Sequence, residues 1–404
     1  MYIANRNTAL ASILVGLAFA TTSTVATAGL YDSFFFGAFG GWAYQESDGV
    51  DYLGATKEGS YDNVSGGITF GAYPVDRLKV QGQFFVHSGG DGDVVLDWML
   101  AEWNFNRHLK LRVGKIKQPI GYYSETFEVG VARPFFNLPQ SVYGPSGILG
   151  EAFLGAGITG DLWSMGDWSL KYDLYAGQVE LALTEPWEQV EAEEAEEQFE
   201  ADCAADTETS ALACDALIEL RSEGGHGGHS DVGATNSFGG QLNLTTPVEG
   251  LTLGVSGFMG ETDEGDISTI GTKVEYALDW AAIRTEYFHS RRKDHIKWDA
   301  VYVEGTYRPF MHLEMGPAFL EGVEIAARYD YLSGTSLGED IESRYRTHKE
   351  TSVGLNYWFT PGFVVKLSYQ HINGNMYAFD ADLAVDGELD KTTNVVSIGA
   401  DFAF

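Results

Sequence analysis

The sequence is short of three things, and each shortage closes off a class of protein. Cysteine occurs only at positions 203 and 214 of 404 residues. That is too few for a disulfide-built scaffold; in an exported chain the two read as a local Cys203–Cys214 disulfide, with a pair of free thiols as the alternative. Lys and Arg total 25 against 58 Asp and Glu, a formal net charge of −33. Binding a polyanion needs clustered cations to displace its counterions, so nucleic acid is excluded as a partner. Long apolar runs are also missing. Ala9–Ala20 falls short of the ~20 residues of a spanning helix. With Arg6 before it and Ala26-Thr27-Ala28 after it, it has the form of an export signal. We therefore expect a signal peptide over 1–28, a mature chain over 29–404 and no transmembrane helix. No G-x-S-x-G nucleophile motif occurs either, which disfavours a hydrolase, and nothing in the sequence calls for a cofactor.

What the mature chain does have is alternation. Leu78, Val80, Phe84 and Val86 face one way, while Lys79, Gln81, Gln83 and His87 face the other, the period-2 pattern of a strand with one apolar and one wet face. Val323, Ile325, Ala327 and Tyr329 alternate in the same way with Glu324, Ala326, Arg328 and Asp330. Sixteen such segments run from Ser33 to Phe404, joined by connectors that are alternately short and long. A soluble sandwich also alternates, but the strand number, the export signal and the aromatics near strand ends (Trp42, Trp103, Trp168, Tyr287, Trp358) favour a barrel with interfacial girdles. The expected fold is an all-β, 16-stranded antiparallel transmembrane β-barrel with an inward-folded third outer loop, in the bacterial outer membrane. An even strand count places both termini on the periplasmic side.

The third outer loop is legible as a break. Four of the ten prolines, Pro119, Pro134, Pro139 and Pro145, lie in one stretch with Tyr122, Tyr123, Phe127, Phe135 and Phe136. A loop that long is expected to be functional. Bent inward, it would place Glu125, Glu128 and Arg133 against Arg112, Lys115 and Lys117 at its root. These six are the expected constriction, either as a transverse field or as ion pairs that hold the loop down. The expected pore wall includes Lys79, Lys110, Lys171, Arg284, Arg328 and Lys366.

A fourth outer loop, an insertion over 180–235, carries sixteen acidic residues and Arg221 between Glu180 and Asp231, a net charge of −15. It reads as either a helical acidic cap or a solvated acidic loop. His226 and His229, three apart in a Gly-rich run, are weak candidates for a metal site.

The last segment ends on Phe404, and its final strand resembles those of bacterial outer-membrane barrels, whose terminal aromatic is read by the assembly machinery. The whole pattern looks like a Gram-negative porin. Within that class, Arg112-Val113-Gly114-Lys115-Ile116-Lys117-Gln118-Pro119-Ile120-Gly121 is similar to the R-x-G-x-F-K-x-P-F-G segment of the phosphate-selective porin O and P family, with Ile116 and Ile120 where that family has Phe. The resemblance implies a homotrimeric, water-filled diffusion channel for ions and small hydrophilic solutes, including anions such as phosphate, in contact with membrane lipid and lipopolysaccharide. A structural or adhesin-type barrel is the alternative that would have no use for a constriction.

Overall fold

The computed structural model describes residues 34–49, 52–88, 94–144, 146–183, 231–262, 265–292, 296–313, 316–336, 345–374 and 391–404. Sixteen strands follow in chain order: β1 Phe34–Ser47, β2 Ser60–Val75, β3 Leu78–His87, β4 Val95–Asn106, β5 Leu109–Lys117, β6 Ser146–Met165, β7 Trp168–Leu183, β8 Asp231–Thr245, β9 Leu251–Thr262, β10 Gly265–Leu278, β11 Ala281–Arg292, β12 Ile296–Tyr307, β13 Val323–Ser336, β14 Tyr345–Thr360, β15 Phe363–Gly374 and β16 Lys391–Ala403. Each pairs antiparallel with its sequence neighbours, and β1 pairs with β16, closing the sheet into a barrel. The Phe404 main chain completes the seam, its N–H donating to the Ala38 carbonyl and its carbonyl accepting from the Ala38 N–H, 2.9 and 2.8 Å. Closure leaves no open sheet edge, the condition for a sheet to cross lipid.

The distribution of polarity is the reverse of a soluble domain's. On β13, Ile325 and Tyr329 are about half exposed (50% and 49%) while Arg328 and Asp330 are buried (2% and 0%). On β14 and β15, Val353, Leu355 and Leu367 face outward, and Glu350, Ser352, Lys366 and Gln370 are buried. A charged side chain is almost never fully buried unless paired, so the inner face must be knit together by hydrogen bonds and ion pairs. The outer face is an apolar surface that only lipid can satisfy. No helix among the described residues is long and apolar enough to cross a membrane.

The short connectors fall at one end: Asp76-Arg77, Arg107-His108, Gly166-Asp167, Asp279-Trp280 and Pro361-Gly362. The β12–β13 connector at that end is longer and carries two helical turns, Pro309–Leu313 and Ala318–Gly322. At the other end the rhythm departs from expectation twice. β9 and β10 are separated only by residues 263–264, and β11 and β12 only by 293–295, so this part of the barrel carries no long outer loop. One expected girdle residue also lies elsewhere: Trp358 points inward, where the Arg308 guanidinium stacks on its ring at 5.0 Å. It shares the parity of Asn356, not of the outward Phe359.

Candidate functional site

Strict alternation cannot bring Arg112 and Lys115 to one face, because an odd spacing sends them to opposite sides. The structure resolves this at Gly114, whose φ is +133°. That conformation is open to L side chains only at a cost, and the alternation of exposed and buried residues on β5 ends there, with Ile116 and Lys117 both buried. Leu111 and Val113 stay outside, and Lys110, Arg112, Lys115 and Lys117 all turn inward. A Cβ at position 114 would stand 2.3 Å from the Met99 carbonyl oxygen. Gly114→Ala is therefore expected to cost about 1–3 kcal/mol in strain, read as a lower midpoint of thermal unfolding in detergent.

Beyond Lys117 the chain leaves the sheet until Ser146, and its contacts fall on one strand after another. Lys273 Nζ of β10 donates to the Gly121 carbonyl at 2.8 Å. The hydroxyl of Tyr122 donates to Glu275 of β10 at 2.8 Å, and Tyr143 to Glu286 of β11 and Tyr123 to Glu304 of β12, both at 2.5 Å. Arg328 of β13 donates to the Asn137 carbonyl at 2.8 Å, Asn356 of β14 to that of Pro134 at 3.1 Å and Lys366 of β15 to that of Gly130 at 2.8 Å. The segment thus bonds to six consecutive strands by two repeated devices. Tyrosine hydroxyls meet wall carboxylates, and three wall cations and the Asn356 amide meet main-chain carbonyls. Burial pushes the Tyr122 hydroxyl up to about 12 and those of Tyr123 and Tyr143 well above the usual tyrosine range, which keeps all three protonated and donating.

On its other flank the segment is fixed by one charge. Lys117 Nζ, buried, donates to Asp97 at 2.7 Å, to Glu151 at 2.6 Å and to Glu128. Gln83 donates to Asp97 at 2.6 Å and to Glu128 at 3.3 Å. Three carboxylates around one ammonium leave an excess of negative charge in a buried place. Burial first, and the neighbouring Glu151 second, push the Glu128 carboxyl well above the usual range, so it is the member that most readily keeps a proton. The ammonium fills this triad of carboxylates, which leaves it to act as an ion pair and not as a metal site.

The expected constriction and wall residues divide into two groups. Arg284, Arg328 and Lys366 are spent on the segment and on neighbouring acids. Arg284 pairs with Glu275 at 3.0 Å and lies over the Tyr122 ring at 4.6 Å. Arg328 pairs with Glu350 and Lys366 with Asp401, each at 2.7 Å. Arg133 donates to the Phe127 carbonyl at 2.9 Å, inside the segment. The second group is open to water. Lys171 is exposed and lies opposite Asp161 in the register. Lys110 and Arg112 flank Glu102 at 3.7 and 2.7 Å. Lys115 pairs with Glu180 at 2.9 Å, Lys79 reaches over the Phe35 ring at 5.1 Å, and Glu125 is exposed. A cavity of about 680 Å³ is lined by Gln45, Ser65 and Lys115 of the wall and by Phe127, Glu128 and Arg133 of the segment. Cys203, Cys214, His226 and His229 lie outside the described residues.

A closed sixteen-strand barrel with an apolar outer face and a charged inner one is a transmembrane β-barrel of the porin type, a multi-pass protein of the Gram-negative outer membrane. No family model and no curated protein sequence matches the chain, but solved structures do. The Salmonella typhi OmpF structure, in complex with daunomycin, is 11% identical and superposes with a TM-score of 0.53, covering 92% of this chain and 97% of that one. A loop-deleted OmpT, an outer membrane protein of Vibrio cholerae, is 13% identical (TM-score 0.52, 92% and 100% covered). The anion-selective porin of Comamonas acidovorans is 10% identical (TM-score 0.51, 92% and 99% covered). At these identities the likeness is one of fold. It does not reach the phosphate-selective family that Arg112–Gly121 resembles.

Proposed function

We propose that this protein is an outer-membrane diffusion channel, with the segment 118–145 folded into the barrel as its constriction. The observation that carries the reading is the division of the inner face. The segment is rooted between β5 and β6 and bonded to β10 through β15, strands on the opposite arc of a closed sheet. On the arc from β3 to β7, Lys117 and Asp97 are buried against the segment, while Lys79, Lys110, Arg112, Lys115 and Lys171 stay at least partly open to water. Passage runs along that arc, past Lys79, Lys110, Arg112 and Lys115 and their partner acids Glu102, Asp173 and Glu180. These charges nearly balance, so the channel is a general one, admitting small hydrophilic solutes and giving anions such as phosphate a cationic track on one side. Contact with lipopolysaccharide, assembly through Phe404 and a homotrimeric state belong to the same reading.

The experiment is solute entry into vesicles containing the purified protein, combined with reversal potentials in a salt gradient. Sugars should enter at rates that fall with size. The triple variant Lys79→Gln, Lys110→Gln, Arg112→Gln leaves its partner acids unopposed and should move the reversal potential toward cation preference, because charges at the narrow part decide which ion crosses. An unchanged potential would remove this arc from the conduction path.

A further inference from the structure

We propose that Asp330, His348 and Glu350 form a binding site for a divalent transition-metal ion of the zinc class, placed where the inner wall, the first outer loop and the constriction segment meet. Asp330 and Glu350 are register partners on β13 and β14, and His348 stands two residues from Glu350 on the same face. All three are buried, and one ligand atom from each lies within 4.8 Å of the others. His348 Nε2 is 3.9 Å from Asp330 Oδ2 and 3.6 Å from Glu350 Oε2. Direct hydrogen bonds would be shorter, about 2.7–3.2 Å. Donors bound to a tetrahedral ion at about 2.0–2.2 Å stand roughly 3.3–3.6 Å apart, near the spacing observed.

A second observation points the same way. Asp330 Oδ1 is buried and has no hydrogen-bond partner among the described residues, while Oδ2 accepts the Ser141 N–H at 3.1 Å. Leaving a buried carboxylate oxygen unpaired is costly, and an ion held by Oδ1, or by both oxygens of Asp330, would remove that cost. Arg328 only partly supplies the charge. It engages Glu350 Oε1 at 2.7 Å, leaving Oε2, which receives the Tyr52 hydroxyl at 3.2 Å. The contrast with Asp97, Glu128 and Glu151 is direct, since there an ammonium sits among the three carboxylates. Donor chemistry selects the ion. One imidazole and two carboxylates suit zinc and its neighbours, whereas calcium takes six to eight oxygens. Tyr52 closes the site, its ring parallel to the His348 ring at 6.2 Å, and Ser141 ties it to the constriction segment.

The test uses detergent-folded, EDTA-stripped protein carrying His226→Ala and His229→Ala, which removes the competing histidines of the acidic loop. Titration with ZnCl2 should give one saturable equivalent by calorimetry, and CaCl2 at the same concentrations should give none. Asp330→Asn and His348→Gln, each polar and near-isosteric, should weaken that equivalent at least tenfold while retaining the folded barrel's resistance to SDS. Failure of the parent protein to bind zinc overturns the proposal whatever the variants do. Binding that is unchanged in both variants overturns it equally.

Discussion

Replacing Gly121–Gly144 by a short Gly-Ser linker is expected to raise single-channel conductance several-fold while leaving the barrel closed. The hydrogen-bond ladder runs from β1 round to β16 without using the segment, so the sheet does not depend on it. What the deletion releases is volume. Phe135, Leu138, Val142 and Tyr143, now buried against the inner wall, would be replaced by water, and Glu286, Glu304 and Asp330 would be hydrated instead of bonded to the segment. Current through a wet pore follows its narrowest cross-section, so removing the obstruction has a large effect. A deleted protein that remains SDS-resistant but conducts as before would mean that the segment does not lie in the path.

Lys117→Met is expected to be the most destabilising single change in the region. Methionine keeps the length of the side chain and loses the ammonium, leaving Asp97, Glu128 and Glu151 to face one another without a cation. Breaking a buried pair from one side costs about 3–5 kcal/mol, because the remaining charge is stranded. The measurement is the thermal or urea transition in detergent, with trypsin susceptibility of residues 118–145 followed in parallel. The control is Lys79→Met. Lys79 is only partly buried and makes no short ion pair among the described residues, so it should change stability by about 1 kcal/mol or less. Equal effects of the two substitutions would show that the carboxylate cluster does not anchor the segment.

The strand count, the inside-out polarity and the location of the long break are all legible in the sequence, because each rests on local periodicity. Leu78–His87 and Phe363–Ile372 alternate cleanly in the text and lie in β3 and β15. What could not be read required knowledge of the third dimension. Gly114 looks like an ordinary strand glycine, and its positive φ, where the alternation of β5 ends, is visible only in the structure. Tyr122, Tyr123 and Tyr143 stand out as aromatics, but their carboxylate partners lie up to 181 residues away. His348 and Glu350 were hidden for a different reason. Alternation marks β14 only from Thr351, yet the strand begins at Tyr345. Above the apolar belt both faces of a strand are polar, and the period-2 signal disappears where the strand itself does not. The start of β6 at Ser146, five residues before Glu151, is concealed differently: Ser146-Gly147-Ile148-Leu149-Gly150 does not alternate, and Ile148 and Leu149 are both buried.

A water-filled passage along one arc of the barrel is tested most directly by planar-bilayer recording of the purified, folded protein. We predict discrete insertion steps of constant size with a linear current–voltage relation. Bilayers that stay silent when folded protein is demonstrably inserted would contradict it.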